Sequence, residues 1–281
     1  LTRISRIFYN LNNAETNPDL QEIARQVAPL TSDYSNDILF NEALFQRIKS
    51  VYDQKESLLL TAEQSTLLEQ TYKRFFRNGA GLGKEAQGRL REISREMSDL
   101  SLRFQDNVLA ETNAYLLHIT DEKDLAGLPQ TSIDAAVQLA RGRDLDGWAF
   151  SLQAPSYGPF MQYADNRDLR YQMFMASSTR ASNGNDRDNR EILKQIANLR
   201  LERAVLLGYP THADFVLEER MAETPARVEQ LLSQLLEAAR PRAGQELSDV
   251  TEIARSLGFT DEIMPWDWSY YSEKLRQKQY D

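Results

Sequence analysis

The sequence predicts an all-α protein of mainly antiparallel helices, with at most one small two-stranded pairing. Apolar residues recur three or four positions apart through most of the 281 residues, which is the pattern of one helix face. Glycine and proline number only 12 and 9 of the 281 residues. These shares, about 4% and 3%, are below the usual shares of about 7% and 5%. Helix start and stop signals flank many periodic segments, which indicates separate helices joined by short turns.

The first helices are predicted from their capping residues. Asn17 followed by Pro18 starts a helix, since asparagine caps a helix and proline suits its first position. We expect Pro29 to kink or end that helix. Asn41 can cap the next one, and residues 61–64 form a capping box that starts a third.

A glycine-containing loop at residues 78–83 precedes the longest regular apolar pattern. This seam repeats at intervals of three or four residues: Leu90, Ile93, Met97, Leu100, Phe104 and Val108. A period near 3.5 residues predicts an antiparallel helical hairpin or a coiled coil.

The middle of the chain is less regular. Residues 115–120 and 148–153 are short candidate strands that would pair with each other. Ser132 is expected to cap a helix that runs to about Arg141, and Pro155 and Pro159 to interrupt a short segment that follows.

The remaining elements are again predicted to be helices. We expect a helix over residues 167–179, a solvated loop at 182–189, and a helix that stops at Gly208. Thr211 caps a short helix, and residues 224–225 start a long one with a kink at Pro241. We divide the chain into an N-terminal helical hairpin region, 1–120, and a helical region with the strand pair, 121–281.

Composition excludes several classes of function. Lys and Arg total 33 against 42 Asp and Glu, a net charge of −9, so no nucleic-acid or membrane partner is expected. The absence of cysteine excludes disulfides, thiol catalysis and cysteine metal sites. His118 and His212 are the only histidines, which are too few for a multi-histidine metal site. Acidic residues lie near each of them in the sequence, and we interpret this proximity as chance.

The glycine loop at residues 79–85 superficially resembles a phosphate-binding loop. A Walker loop would need glycine at position 78 and serine or threonine at 85, where the chain has Asn78 and Glu85. A dinucleotide fingerprint would need glycine in place of Lys84. Both motifs follow a strand, whereas this stretch follows a helix, so we interpret it as an interhelical turn.

No catalytic, cofactor-binding or metal-binding residue is assigned. The sequence contains neither HExxH nor GxSxG, and carboxylate pairs are inevitable among so many acidic residues. The aromatic segment 264–271 has two interpretations: a packed helix start, with Asp267 favoured by the helix dipole, or the aromatic wall of a ligand cleft.

The same C-terminal region carries a family resemblance. Residues 265–281 read PWDW, an aromatic pair, a basic helical segment and a final Tyr-Asp, and resemble a block of the peptidyl-dipeptidase and thimet-oligopeptidase family of zinc peptidases. Segments 206–215 (LLGYPTHADF), 221–225 (MAETP), 41–45 and 75–80 are also similar to that family, in collinear order. The PWDW and LLGYP motifs favour the peptidyl-dipeptidase branch.

The resemblance implies a largely helical body split by a narrow channel that admits short peptides, with this chain forming one wall. It implies release of C-terminal dipeptides, or internal cleavage if the protein belongs to the oligopeptidase branch. Zinc would be bound in the full-length protein by an HExxH helix, beyond residue 281 and within a C-terminal catalytic half that partners this chain. We therefore expect this portion alone to bind no zinc and to be inactive.

The chain could instead be a free-standing helical module that grips a partner helix through the 90–108 seam, or a phosphate-binding enzyme built on the glycine loop. The chain starts with leucine and stops within a predicted helix, so we expect a truncated protein. A cytoplasmic location is expected, with a periplasmic or exported one as the alternative.

Overall fold

A computed structural model describes residues 2–280 and confirms the all-α prediction. Within these residues, two short 3-10 helices at Lys55–Ser57 and Glu122–Leu125 accompany twelve α-helices. The α-helices are α1 Thr2–Ala14, α2 Pro18–Leu39, α3 Glu42–Asp53, α4 Ala62–Phe76, α5 Lys84–Ala114, α6 Gln130–Arg141, α7 Ala154–Tyr163, α8 Arg167–Ser178, α9 Arg190–Leu206, α10 His212–Leu217, α11 Pro225–Ser256 and α12 Pro265–Tyr280. No helix in this described part is both long and apolar enough to cross a membrane.

The chain forms two compact units, each built from two separate stretches. The first unit comprises the described residues up to Gln105 together with Glu191–Pro225, and the second comprises Asp106–Arg190 together with the described residues from Ala226 onward. The division into regions 1–120 and 121–281 stays a prediction.

The core of the first unit contains part of the predicted apolar seam. Ile93 and Leu100 on α5 are buried against three residues of α9, namely Ile192, Ile196 and Leu199. The packing partner of the seam is therefore a helix that lies far along the chain, and not the neighbouring helix of a hairpin. This core already covers Ile93 and Leu100. The alternative, an interaction module that binds a helix of another protein through the seam, therefore loses its main support.

Capping side chains fix the ends of the early helices as predicted. The Asn17 and Asn41 carboxamide oxygens accept hydrogen bonds from Leu20 N and Leu44 N, both at 2.9 Å. The capping box at α4 is complete, since Gln64 N donates to Thr61 Oγ1 and Thr61 N donates to Gln64 Oε1. These bonds satisfy backbone donors that have no partner within the helix.

The second unit contains the two predicted strands. Strand β1, Leu117–Ile119, pairs antiparallel with β2, Trp148–Phe150, and Leu117 lies opposite Phe150. A cluster of buried residues packs around the pair and includes Phe160 and Met173, both fully buried. Two short strands are stable here because helices cover their apolar side chains.

Four prolines that we expected to kink a helix, to end it or to interrupt a segment lie within helices. Helix α2 continues through Pro29, α7 includes Pro155 and Pro159, and α11 continues through Pro241. In α2 the Thr31 hydroxyl contacts Val27 O and Ala28 O, so nearby carbonyl groups keep a donor. In α7, Pro155 lies in the first turn, where a missing N–H removes no intrahelical bond.

The predicted cap of α6 was also wrong. The helix begins at Gln130 after Pro129, so Ser132 lies inside the first turn. Its backbone N–H donates to Pro129 O at 2.9 Å. The fixed φ of Pro129 starts the helix without a side-chain cap.

Gly208 ends α9 in a Schellman motif. Its φ is +85°, while Gly208 N donates to Val205 O and Tyr209 N to Ala204 O, which is the paired pattern of that motif.

We expect Gly208→Ala to lower the free energy of unfolding by about 1–2 kcal/mol, because a Cβ disfavours the left-handed conformation. Urea unfolding followed by far-UV circular dichroism measures this change.

The matched control is Gly88→Ala. Gly88 is exposed within α5, and a Cβ there would meet nothing within 4 Å. Since alanine is the better helix former, this substitution should raise stability by about 0.5–1 kcal/mol. Equal effects of the two substitutions would contradict the assigned end of α9.

Candidate functional site

A buried ion cluster lies at the start of α12, within the second unit. The Asp267 side chain is fully buried and accepts hydrogen bonds from Arg167 Nη2 at 2.8 Å, Arg170 Nη2 at 3.0 Å and Met264 N at 3.2 Å. Burial raises the pKa of the Asp267 carboxyl, but the hydrogen bonds from Arg167 and then Arg170 outweigh it, so the pKa is below its usual value. The carboxylate is therefore held ionised.

Arg170 connects this carboxylate to the backbone around it. Its guanidinium is buried and also donates to Ala164 O at 2.8 Å, Asp165 O at 3.1 Å and Trp266 O at 3.2 Å. The fork of guanidinium donors thus joins the end of α7 to the start of α12. The donors and acceptors of this cluster bond to one another within the protein. The cluster therefore holds the helices in position and leaves no open site for a reacting group.

The neighbouring aromatic rings pack inward. Trp266 contacts Tyr171 and Phe174 on α8, with ring centroids 4.7 and 5.8 Å apart. Tyr271 is buried in a cluster with Val250 and Ile253 of α11. Of the two interpretations of segment 264–271, the structure favours the packed helix start, because these rings fill contacts between helices.

The glycine loop connects two helices, as the interhelical interpretation predicts. It lies between α4 and α5, and Gly79 has a φ of +91°. The Gln87 carboxamide donates to Gly79 O at 3.1 Å, which holds the turn against α5. A Cβ at Gly79 would lie 2.5 Å from Leu90 Cδ1, so the Leu90 side chain would have to shift if residue 79 were not glycine.

The two histidines lie in different units. His118 is on β1, where Nε2 donates to Asp146 O at 2.6 Å. His212 begins α10, and burial, then the charges of Arg200 and Arg203, lower its pKa. Among residues 2–280, no group of three or more His, Cys, Asp or Glu side chains could hold a metal ion. The side chains of residues 2–280 therefore do not fit a zinc site.

A second arginine cluster, which the sequence did not reveal, lies in the first unit. Arg77, at the end of α4, is buried; it donates to Tyr209 Oη at 2.9 Å and Phe215 O at 2.5 Å. It also forms ion pairs with Glu218 and Glu219. The segments at 75–80 and 206–215, which both carry the family resemblance, are therefore in direct contact. The signal available in the sequence was an arginine directly after two phenylalanines at a helix end.

Comparisons with known proteins agree with this resemblance. The model of peptidase family M3 matches residues 160–281. Oligopeptidase A of Escherichia coli (strain K12) is 36% identical over 284 aligned residues, which cover 100% of this chain and 42% of that protein. Dipeptidyl carboxypeptidase of the same organism is 30% identical over 282 aligned residues, which cover 100% and 41%.

A plant relative aligns in the same way. Probable cytosolic oligopeptidase A of Arabidopsis thaliana is 30% identical over 293 aligned residues, covering 100% of this chain and 42% of that protein. The chain spans about two fifths of the length of these relatives. Family M3 is a family of metallopeptidases, which are hydrolases. The resemblance inferred from the PWDW and LLGYP segments is confirmed: residues 160–281 match peptidase family M3, and the whole chain aligns with part of oligopeptidase A and of dipeptidyl carboxypeptidase.

Proposed function

We propose that the chain is the non-catalytic portion of a zinc-dependent peptidase that hydrolyses short peptides. The observation that carries this proposal is the alignment of the whole chain with oligopeptidase A and dipeptidyl carboxypeptidase. In the complete enzyme, residues outside this chain would hold the zinc, which would supply Lewis-acid chemistry for peptide hydrolysis. The part we assign to this chain is to form one wall of a narrow channel and so to limit the size of the substrate.

Two modes of cleavage are candidates. Release of C-terminal dipeptides is supported by the PWDW and LLGYP motifs at residues 265–268 and 206–210. Internal cleavage is supported by the identities, which are 36% with oligopeptidase A and 30% with dipeptidyl carboxypeptidase of the same organism. Short peptides and the C-terminal catalytic half are the partners in both cases.

The full-length gene product distinguishes these modes. It is incubated with zinc and a short peptide, and the products are identified by mass spectrometry over time. A peptidyl-dipeptidase shortens the peptide from the C terminus in steps of two residues, whereas an oligopeptidase of the other branch cuts inside it. If no peptide of any length is cleaved, the proposed peptidase function is wrong.

The proposed location is the cytoplasm, with a periplasmic or exported location as the alternative. Fractionation of cells that express the full-length protein, followed by immunoblotting of each fraction, tests this proposal.

A further inference from the structure

An open cleft of about 490 Å³ lies within the first unit. Its wall is built by the last turn of α4, the last turns of α9, and α10 with the turn after it. The residues that matter for its chemistry are Arg74, Arg77, Asn78, Arg203, Phe215 and Arg220. This volume is in the range of sites that hold small molecules.

Positive charge in the cleft exceeds the negative charge that matches it. Arg77 is paired with Glu218 and Glu219. Within the part of the chain that the structure describes, no carboxylate forms an ion pair with Arg74, Arg203 or Arg220. The chain as a whole carries a charge of −9, so this local excess of arginine does not follow from its composition.

Arg203 is the most constrained of the unmatched arginines. Its Nη2 donates to Asn78 Oδ1 at 3.1 Å, and its guanidinium lies 5.2 Å from the centre of the Phe215 ring. Burial, and then the charge of Arg77, lower the pKa of Arg203. A guanidinium that is partly removed from water beside a second one is stabilised by a counter-charge.

The chemistry of the missing counter-charge follows from the shape of the donors. A guanidinium presents its N–H groups as a planar fork that matches the two oxygens of a carboxylate or of a phosphate. In Arg203 one of these nitrogens contacts Asn78, and the other donors remain for a ligand. Arg74 and Arg220 are exposed, so they can add charge at the rim without losing an internal partner.

We propose that this cleft binds a small anionic ligand through a carboxylate or phosphate group. Arg203 makes the forked contact, Asn78 orients Arg203, and Arg74 and Arg220 neutralise the remaining charge. The Phe215 ring covers the face of the Arg203 guanidinium. The proposed site requires no metal and consists of residues of the first unit alone.

Calorimetric titration tests the proposal with inorganic phosphate and with succinate as separate probes, at constant ionic strength set by sodium chloride. Binding of phosphate alone identifies a phosphate site, and binding of succinate alone identifies a carboxylate site. We expect Arg203→Gln to weaken the binding by at least about tenfold, since charge-assisted hydrogen bonds are lost. The control is Arg240→Gln, an exposed arginine of α11, which should bind both probes as the unmodified protein does.

A second variant keeps the test decisive if Arg203→Gln does not fold. The double variant Arg74→Gln with Arg220→Gln changes two exposed residues and should fold normally. It should also weaken binding by about tenfold, with a smaller dependence on salt. The proposal is overturned if neither probe binds, if chloride displaces both as readily as they displace each other, or if the rim variant binds as tightly as the Arg240→Gln control.

Discussion

Replacement of Asp267 by asparagine is expected to lower the free energy of unfolding by about 3–5 kcal/mol, the effect of breaking a buried ion pair. The side chain has no exposed surface and accepts hydrogen bonds from Arg167 and Arg170. Asparagine keeps the size of the side chain but leaves the buried Arg170 guanidinium without its counter-charge. Urea unfolding followed by tryptophan fluorescence measures this loss, because Trp148, Trp266 and Trp268 all lie in the second unit.

The control for this substitution is Asp261→Asn. Asp261 is exposed, and its Oδ2 lies 3.8 Å from Arg167 Nη1. Loss of this ion pair should change the free energy of unfolding by no more than about 0.5 kcal/mol. The folded-state pKa of Asp267 is lowered, so its ionised form contributes stability above the unfolded pKa of about 3.9. The difference between the unmodified protein and Asp267→Asn should stay constant down to about pH 5 and shrink below about pH 4. Equal effects of the two substitutions would contradict a structural role for the cluster.

Arg77→Met should detach α10 from the end of α4. It removes the hydrogen bonds to Tyr209 Oη and Phe215 O and the ion pairs with Glu218 and Glu219. Hydrogen bonds of charged groups contribute about 1.5–3 kcal/mol to stability, and we expect the free energy of unfolding to fall by an amount of that size. Hydrogen–deuterium exchange measures it locally, as faster exchange of the amides of α10.

Arg74→Met is the matched control, since Arg74 lies about one turn earlier on α4 and is exposed. In a chloride buffer without other anions, it should leave the exchange of α10 unchanged. If both variants expose α10 equally, the buried Arg77 contacts do not hold this helix in place.

The parts of the fold that local rules govern were predictable. The caps at Asn17, Asn41 and Thr61 form the hydrogen bonds that the sequence predicted, because a cap depends on residues within one turn. Prolines were harder to place, since Pro155 and Pro159 lie within α7 and α2 does not end at Pro29. Helix α1, which the sequence analysis did not predict, keeps Ile4, Ile7 and Leu11 largely exposed.

The candidate sites were only half predictable. The position of Asp267 in a first helical turn followed from the sequence, but its partners Arg167 and Arg170 lie 100 and 97 residues away. Arg77 reaches Phe215 across 138 residues. Contacts of this separation depend on how helices pack, which periodicity does not specify. The family resemblance pointed to the segments that meet, without showing which atoms join them.

The most direct test of the proposed non-catalytic role compares the 281-residue chain with the full-length protein. Both are purified, supplied with zinc, and assayed for bound zinc and for hydrolysis of the same short peptide. We predict that the full-length protein retains zinc and cleaves the peptide, while the 281-residue chain does neither. Hydrolysis by the 281-residue chain that depends on added zinc would contradict the assignment of catalysis to residues outside it.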